Sequence, residues 1–166
     1  MKGLFGILLI VLLASCSANE ETVAETATQL TRQDLIGTWE QTSLTVTYNQ
    51  TLGIDDSITV FAVDEANWLR VLSVPPVRTI FQGDSTFQHI FRDINEEVTD
   101  RQRGLWNLIG DTLILITPDA TYTYDITVQD NGTSRFESIL DWDGDGAEDD
   151  GFAATHRLIS RRTGEM

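Results

Sequence analysis

Tyr122, Tyr124, Ile126 and Val128 alternate with Thr121, Thr123, Asp125, Thr127 and Gln129. A two-residue period of this kind puts one apolar and one polar face on a strand and cannot form a stable helix stripe. The run stops at Asn131-Gly132, a pair that accepts the positive φ angles of a tight hairpin turn. Phe136, Ser138, Leu140 and Trp142 return with the same period, and Phe152, Ala154, His156 and Leu158 repeat it once more. After Gly37, no long segment carries a convincing helical period; residues 64 to 72 are the one ambiguous stretch, and Pro75-Pro76 ends whatever precedes it.

The other turns follow the same grammar. Gly83-Asp84-Ser85 separates two strands, the second placing Phe87, His89 and Phe91 on one face. Leu105 to Thr117 folds back at Gly110-Asp111, and Leu113 to Ile116, apolar on both faces, predicts a well-covered strand. Thr117-Pro118-Asp119-Ala120 suits a type I turn. The chain is therefore expected to be all-β. About eight to ten strands should form an antiparallel up-and-down meander, which escapes exposed edges by closing into a barrel.

The folded part is expected to start at Leu35–Tyr48. Leu44, Val46 and Tyr48 share a face, while Trp39 is out of phase with them, so a bulge is predicted between Gln41 and Ser43. Thr31, followed by Asp34, reads as a capping-box variant opening one short helical turn that ends at Gly37.

Before that domain, Leu4 to Ala14 is an eleven-residue apolar run behind Lys2. It falls short of the roughly 20 residues needed to cross a bilayer and fits a signal-peptide core. It ends in Leu13-Ala14-Ser15-Cys16, which resembles the bacterial lipoprotein signal. That resemblance implies cleavage before Cys16, lipidation of its sulfur and acylation of the new amine. Two or three acyl chains anchor far more firmly than one. Ser17 after the Cys implies the outer membrane, and Glu20-Glu21 resembles the export signal of Bacteroidetes surface lipoproteins. The expected organisation is a signal peptide at 1–15, a flexible tether at 16–33 and one barrel domain at 34–162.

Charge excludes one class of partner. The chain has 166 residues and a net charge of −15, with Lys2 its only lysine. Nucleic-acid binding needs a basic footprint, which is missing here.

Leu-Ile-Gly-Thr-Trp at 35–39, Ile80-Phe81 through Gly83-Asp84-Ser85-Thr86-Phe87, and Gly104-Leu105-Trp106 leading to Gly110-Asp111-Thr112-Leu113 resemble the small lipocalin-like lipoproteins of Bacteroidetes. The resemblance spans residues 35 to about 160 and implies a lipocalin-like barrel. Ser85 stands where that family usually has Gly. The resemblance also implies structural roles for Gly37 and for Trp39, which would close the barrel base beneath a late arginine, Arg157 or, as runner-up, Arg161.

Two sites are expected. Asp141-Trp142-Asp143-Gly144-Asp145-Gly146 begins like a calcium loop, since Ca²⁺ takes six to eight oxygen ligands and alternate carboxylates in a turn converge on it. Asp141, Asp143, Asp145 and Asp149 are the expected ligands, with Asp150, Glu148 or water in place of the usual closing Glu; the competing reading is a solvated turn. Trp68, Phe87, Phe91, Tyr122, Tyr124, Phe136 and Trp142 are the aromatic residues that could point into the barrel. They either fill it or line room for one small ligand. No thiol beyond Cys16, no Gly-x-Ser-x-Gly elbow, no phosphate-cradling loop and no zinc spacing is present, and an enzyme is not expected. His89 and His156, each among apolar residues, read as half-buried core imidazoles. The expected function is a membrane-anchored lipocalin-like lipoprotein that binds a small apolar or amphipathic ligand. The alternative is an envelope-structural or protein-interaction module with a filled barrel.

Overall fold

The computed structural model describes residues 30–48, 59–129 and 131–162. The expected anchor at Cys16, the signal peptide and most of the tether lie outside them. Arg32–Leu35 forms a single helical turn, α1. Asp34 holds it by accepting from the Thr31 backbone N–H at 2.9 Å and the Thr31 hydroxyl at 2.6 Å, and these bonds, the hydroxyl first, keep its pKa below the ordinary range.

Nine strands follow: β1 Gly37–Tyr48, β2 Thr59–Asp64, β3 Arg78–Phe81, β4 Thr86–Arg92, β5 Val98–Ile109, β6 Thr112–Ile116, β7 Thr121–Val128, β8 Thr133–Leu140 and β9 Asp150–Ser160. Every neighbour pairs antiparallel. β1 pairs with β9 along one edge and with β3 along the first part of the other, and these pairings close an eight-stranded barrel. β2 is the extra strand. It takes over the second half of β1, from Ser43 to Tyr48, where the short β3 does not reach. A one-turn helix, α2 (Trp68–Leu72), follows it, which resolves the ambiguous stretch before Pro75-Pro76.

The predicted bulge is present. Gln41 pairs with His156 and Ser43 with Thr155, leaving Thr42 as the extra residue. It swaps the inward phase, so Trp39 and Gln41 face in before it, and Leu44 and Val46 after it.

The barrel base is solid. Trp39, Phe81, Phe87, Trp106 and Leu113 are almost wholly buried and belong to one cluster. The Trp39 indole N–H donates to the Leu35 carbonyl at 2.7 Å, which pins α1 across the bottom. Gly104 makes this packing possible: a Cβ there would lie 2.6 Å from the Phe87 ring and 2.2 Å from the Ile116 carbonyl oxygen. Ser85 adopts φ +72°, so the turn does demand the left-handed conformation that glycine would supply without strain.

Two sequence expectations need correction. Arg157 does not stack on Trp39. It points outward, where its guanidinium donates to Glu65 at 3.0 and 2.9 Å, because alternation along β9 gives the inward place opposite Trp39 to Leu158. Arg161 instead donates to carbonyls of α1, including that of Asp34 at 2.8 Å. The cation over an indole at the base is Arg32, 4.0 Å from the Trp106 ring centre. Ile116 is 44% exposed although Leu113 and Leu115 are buried, since the barrel's outer face at β6 is uncovered.

Candidate functional site: the barrel cavity

Above the packed base the barrel opens into a cavity of about 860 Å³. Its walls are mostly apolar: Leu44, Leu115, Tyr124, Phe136 and Phe152 face it from the sheet, and Trp68, Leu72 and Pro75 face it from the segment between β2 and β3. The size lies within the range of pockets that enclose a small organic ligand.

Of the seven aromatic residues expected to point inward, five line this space: Trp68, Phe91, Tyr124, Phe136 and Trp142. Trp68 is buried, and Trp142, at 42% exposure, stands at the mouth with its ring 5.8 Å from that of Phe152. Phe87 and Tyr122 are corrections. Phe87 shares the Phe91 face but sits nearer the base, where the Phe81 ring, 6.4 Å away, seals it into the core. Tyr122 shares the Tyr124 face but is only the second residue of β7, and it is 40% exposed beyond the covering walls. Burial holds Tyr124 un-ionised, pushing its pKa up to about 12, with Tyr122 adding to the effect.

Two polar side chains of the cavity lie against the base, while Arg92, Thr99 and Asp100 line it at the far end of β4 and β5. His89 on β4 and His156 on β9 both line it, and each rests on a ring of the base cluster. Phe87 lies 4.9 Å from His89, and Phe136 lies 4.3 Å from His156. Thr79 Oγ1 and His89 Nδ1 are hydrogen-bonded at 2.8 Å. His156 forms no side-chain hydrogen bond among the described residues, and its Nδ1 is buried without a partner. Burial lowers the pKa of His89 to about 4. Burial, then the nearby His89, lowers that of His156 to about 3. Both rings are neutral at pH 7. The sequence marked these histidines as core residues. Alternation did place them inward, but their joint position at the cavity floor depends on the pairings Thr79–His89 and Gln41–His156.

Arg92 also lines the cavity. It is buried and neutralised: Glu40 accepts from it at 3.0 Å, Glu96 accepts from its other terminal nitrogen, and the Pro76 carbonyl accepts at 2.8 Å. Glu40 also takes Arg78 at 2.8 Å.

The acidic loop sits on the β8–β9 connection, and these strands are neighbours as expected. Carboxylate oxygens of Asp141, Asp143 and Asp150 lie within 4.8 Å of one another. Asp145 and Asp149 fall outside that group. The Asp145 carboxylate instead accepts from the Ala147 backbone at 2.8 Å. Asp150, which opens β9, is buried and accepts from the Trp142 and Asp143 backbone at 2.9 and 3.1 Å. Asp141 accepts from Gly144 and Gly146 at 2.7 and 3.0 Å. Much of the carboxylate charge is thus met by loop amides. No known protein family and no curated protein matches this chain in sequence.

Proposed function

We propose that this protein is a membrane-anchored lipocalin-like lipoprotein whose barrel carries a small apolar or amphipathic ligand. The observation that supports this reading is the cavity of about 860 Å³, walled by aromatic and aliphatic side chains and open past Trp142. A barrel built only for structure would gain by filling that space, because unfilled apolar volume forfeits packing contacts. Nothing in this reading requires catalysis. The binding test is uptake of N-phenyl-1-naphthylamine, a neutral fluorophore that brightens in apolar surroundings. The wild type should bind it with a saturable blue-shifted signal, and Leu44→Trp, which crowds the cavity, should abolish the signal without unfolding the chain. Saturable binding that ignores Leu44→Trp would place the dye elsewhere and remove the support.

The anchor part of the proposal rests on Leu13-Ala14-Ser15-Cys16 and is tested apart. Cys16→Ser should move the protein from the membrane fraction to the soluble fraction. Unchanged fractionation would reject lipidation at that sulfur. Outer-membrane placement belongs to the same proposal.

A second reading, contact with another envelope protein, is favoured by aliphatic side chains left outside the barrel. Val60, Leu69 and Val71, on β2 and α2, are 57%, 57% and 39% exposed. Cross-linking in whole cells that captures a partner through this face, together with a failed dye assay, would favour it over the first.

A further inference from the structure

We propose that the ligand is an uncharged amphiphile that enters polar end first, seating a hydroxyl or carbonyl against His156 and His89 at the cavity floor. This rests on the ligand-binding reading above and adds to it the ligand's charge class and orientation.

The geometry sets the direction. Apolar side chains such as Leu44, Leu72 and Phe152 make up most of the cavity wall. The neutral imidazoles of His89 and His156 lie against the rings that cap the solid base. A polar group held against these walls would meet hydrocarbon; beside the floor imidazoles it meets a ring nitrogen. His89 already has Thr79. His156 has no hydrogen-bond partner among the described residues; its Nδ1 is sealed from the cavity, and the rest of the residue, 8% exposed, lines it. A buried polar group without a partner is costly, and a partner brought by the ligand relieves that cost. A neutral imidazole offers one N–H donor and one nitrogen acceptor, so it matches a hydroxyl in either direction and a carbonyl in one.

The same surroundings disfavour an anion. A carboxylate placed at the floor needs a counter-charge, because an unpaired buried charge is far more costly than an unpaired polar group. The imidazoles do not supply one, since their burial keeps them neutral at pH 7. Among the described residues Arg92 is the one arginine lining the cavity, and Glu40 and Glu96 already hold it. Asp100 lines the cavity with its own carboxylate, and the net charge of −15 repels an approaching anion.

The experiment is displacement of bound N-phenyl-1-naphthylamine by two competitors of equal chain length, dodecan-1-ol and laurate, at about pH 7.5. The alcohol should displace the dye at least about tenfold more effectively, a gap of roughly 1.4 kcal/mol. His156→Gln, which keeps a polar side chain of similar reach, and His156→Phe, which does not, separate floor contact from packing. His156→Phe should weaken the alcohol about five- to tenfold more than it weakens the dye, and His156→Gln should retain most of the alcohol affinity. Equal displacement by laurate on the wild type would overturn the charge class, and that comparison needs no variant to fold. An alcohol affinity indifferent to His156→Phe would overturn the orientation. Failure of the dye itself to bind would instead strike the ligand-binding reading beneath the proposal.

Discussion

Arg32 lies 4.0 Å above the Trp106 ring, joining the first helical turn of the domain to β5. The same guanidinium donates to Asn107 Oδ1 at 3.1 Å and to Ser85 Oγ at 2.9 Å. It thereby ties α1, the β3–β4 turn and β5 together under the barrel. Arg32→Ala should cost about 1–2 kcal/mol in urea unfolding, combining the cation–π contact with lost hydrogen bonds. Arg32→Lys should recover only part, since an ammonium cannot both stack flat and fork to two acceptors. An unchanged midpoint for Arg32→Ala would show that the contact does not hold the base.

Gly37 begins β1 with φ +143°, and a Cβ there would lie 2.5 Å from the Ser160 carbonyl oxygen. Both the conformation and the space exclude a side chain. Gly37→Ala should lower stability by about 2 kcal/mol or more and raise the unfolding rate, because the strain falls on the β1–β9 closure. Gly110→Ala is the control for conformation alone: its φ is +61°, but nothing lies within 4 Å of an added Cβ. It should cost about 1 kcal/mol. Equal losses at the two positions would remove the steric part of the argument.

The two floor histidines predict a slope of stability with pH. Their folded pKa values, about 4 for His89 and about 3 for His156, lie below the ordinary 6.5. As pH falls, the unfolded chain takes up protons first. This contribution to stability is complete above about pH 6.5 and drains as pH drops through 5 toward 4 and then 3, by an amount on the order of several kcal/mol. Neutralising surface carboxylates near the sequence pI of 4.2 relieves self-repulsion and works in the opposite direction. The difference between wild type and the His89→Gln, His156→Gln double variant isolates the imidazoles. Between about pH 7.5 and 5 the wild type should lose more stability than the variant. Parallel curves would show that the rings are not held neutral by burial.

The 141–150 loop makes a separate prediction. Asp141, Asp143 and Asp150 offer oxygens close enough to share one Ca²⁺, and bound ion stabilises by mass action, about 2.7 kcal/mol at a hundredfold excess over Kd. Millimolar Ca²⁺ should raise the melting temperature, Mg²⁺ should do less, and the Asp141→Asn, Asp143→Asn double variant should lose the response. A melting curve indifferent to Ca²⁺ would leave the loop as a turn held by its own amides, with Gly144, Asp145 and Gly146 bonded back to Asp141 and Asp143.

The strands and most turns were legible because their causes are local. Alternation from Thr121 to Gln129, the Gly110-Asp111 pair and the out-of-phase Trp39 each report a conformation decided within a few residues. The bulge at Thr42 came from phase alone, since a strand cannot bury both Trp39 and Leu44 on one face without an extra residue between them. Tertiary structure decided what alternation cannot: height along the barrel and identity across it. Phe87 and Phe91 share a face of one strand, yet one is sealed in the base and the other lines the cavity, because only the former meets Phe81. Arg32 rather than Arg157 reaches an indole because closure against β9 turns Arg157 outward toward Glu65. His89 and His156, far apart in the chain, meet at one floor only after β3 pairs with β4 and β1 with β9. Such long-range pairings are selected by the whole sheet's register, and no short stretch of residues encodes them.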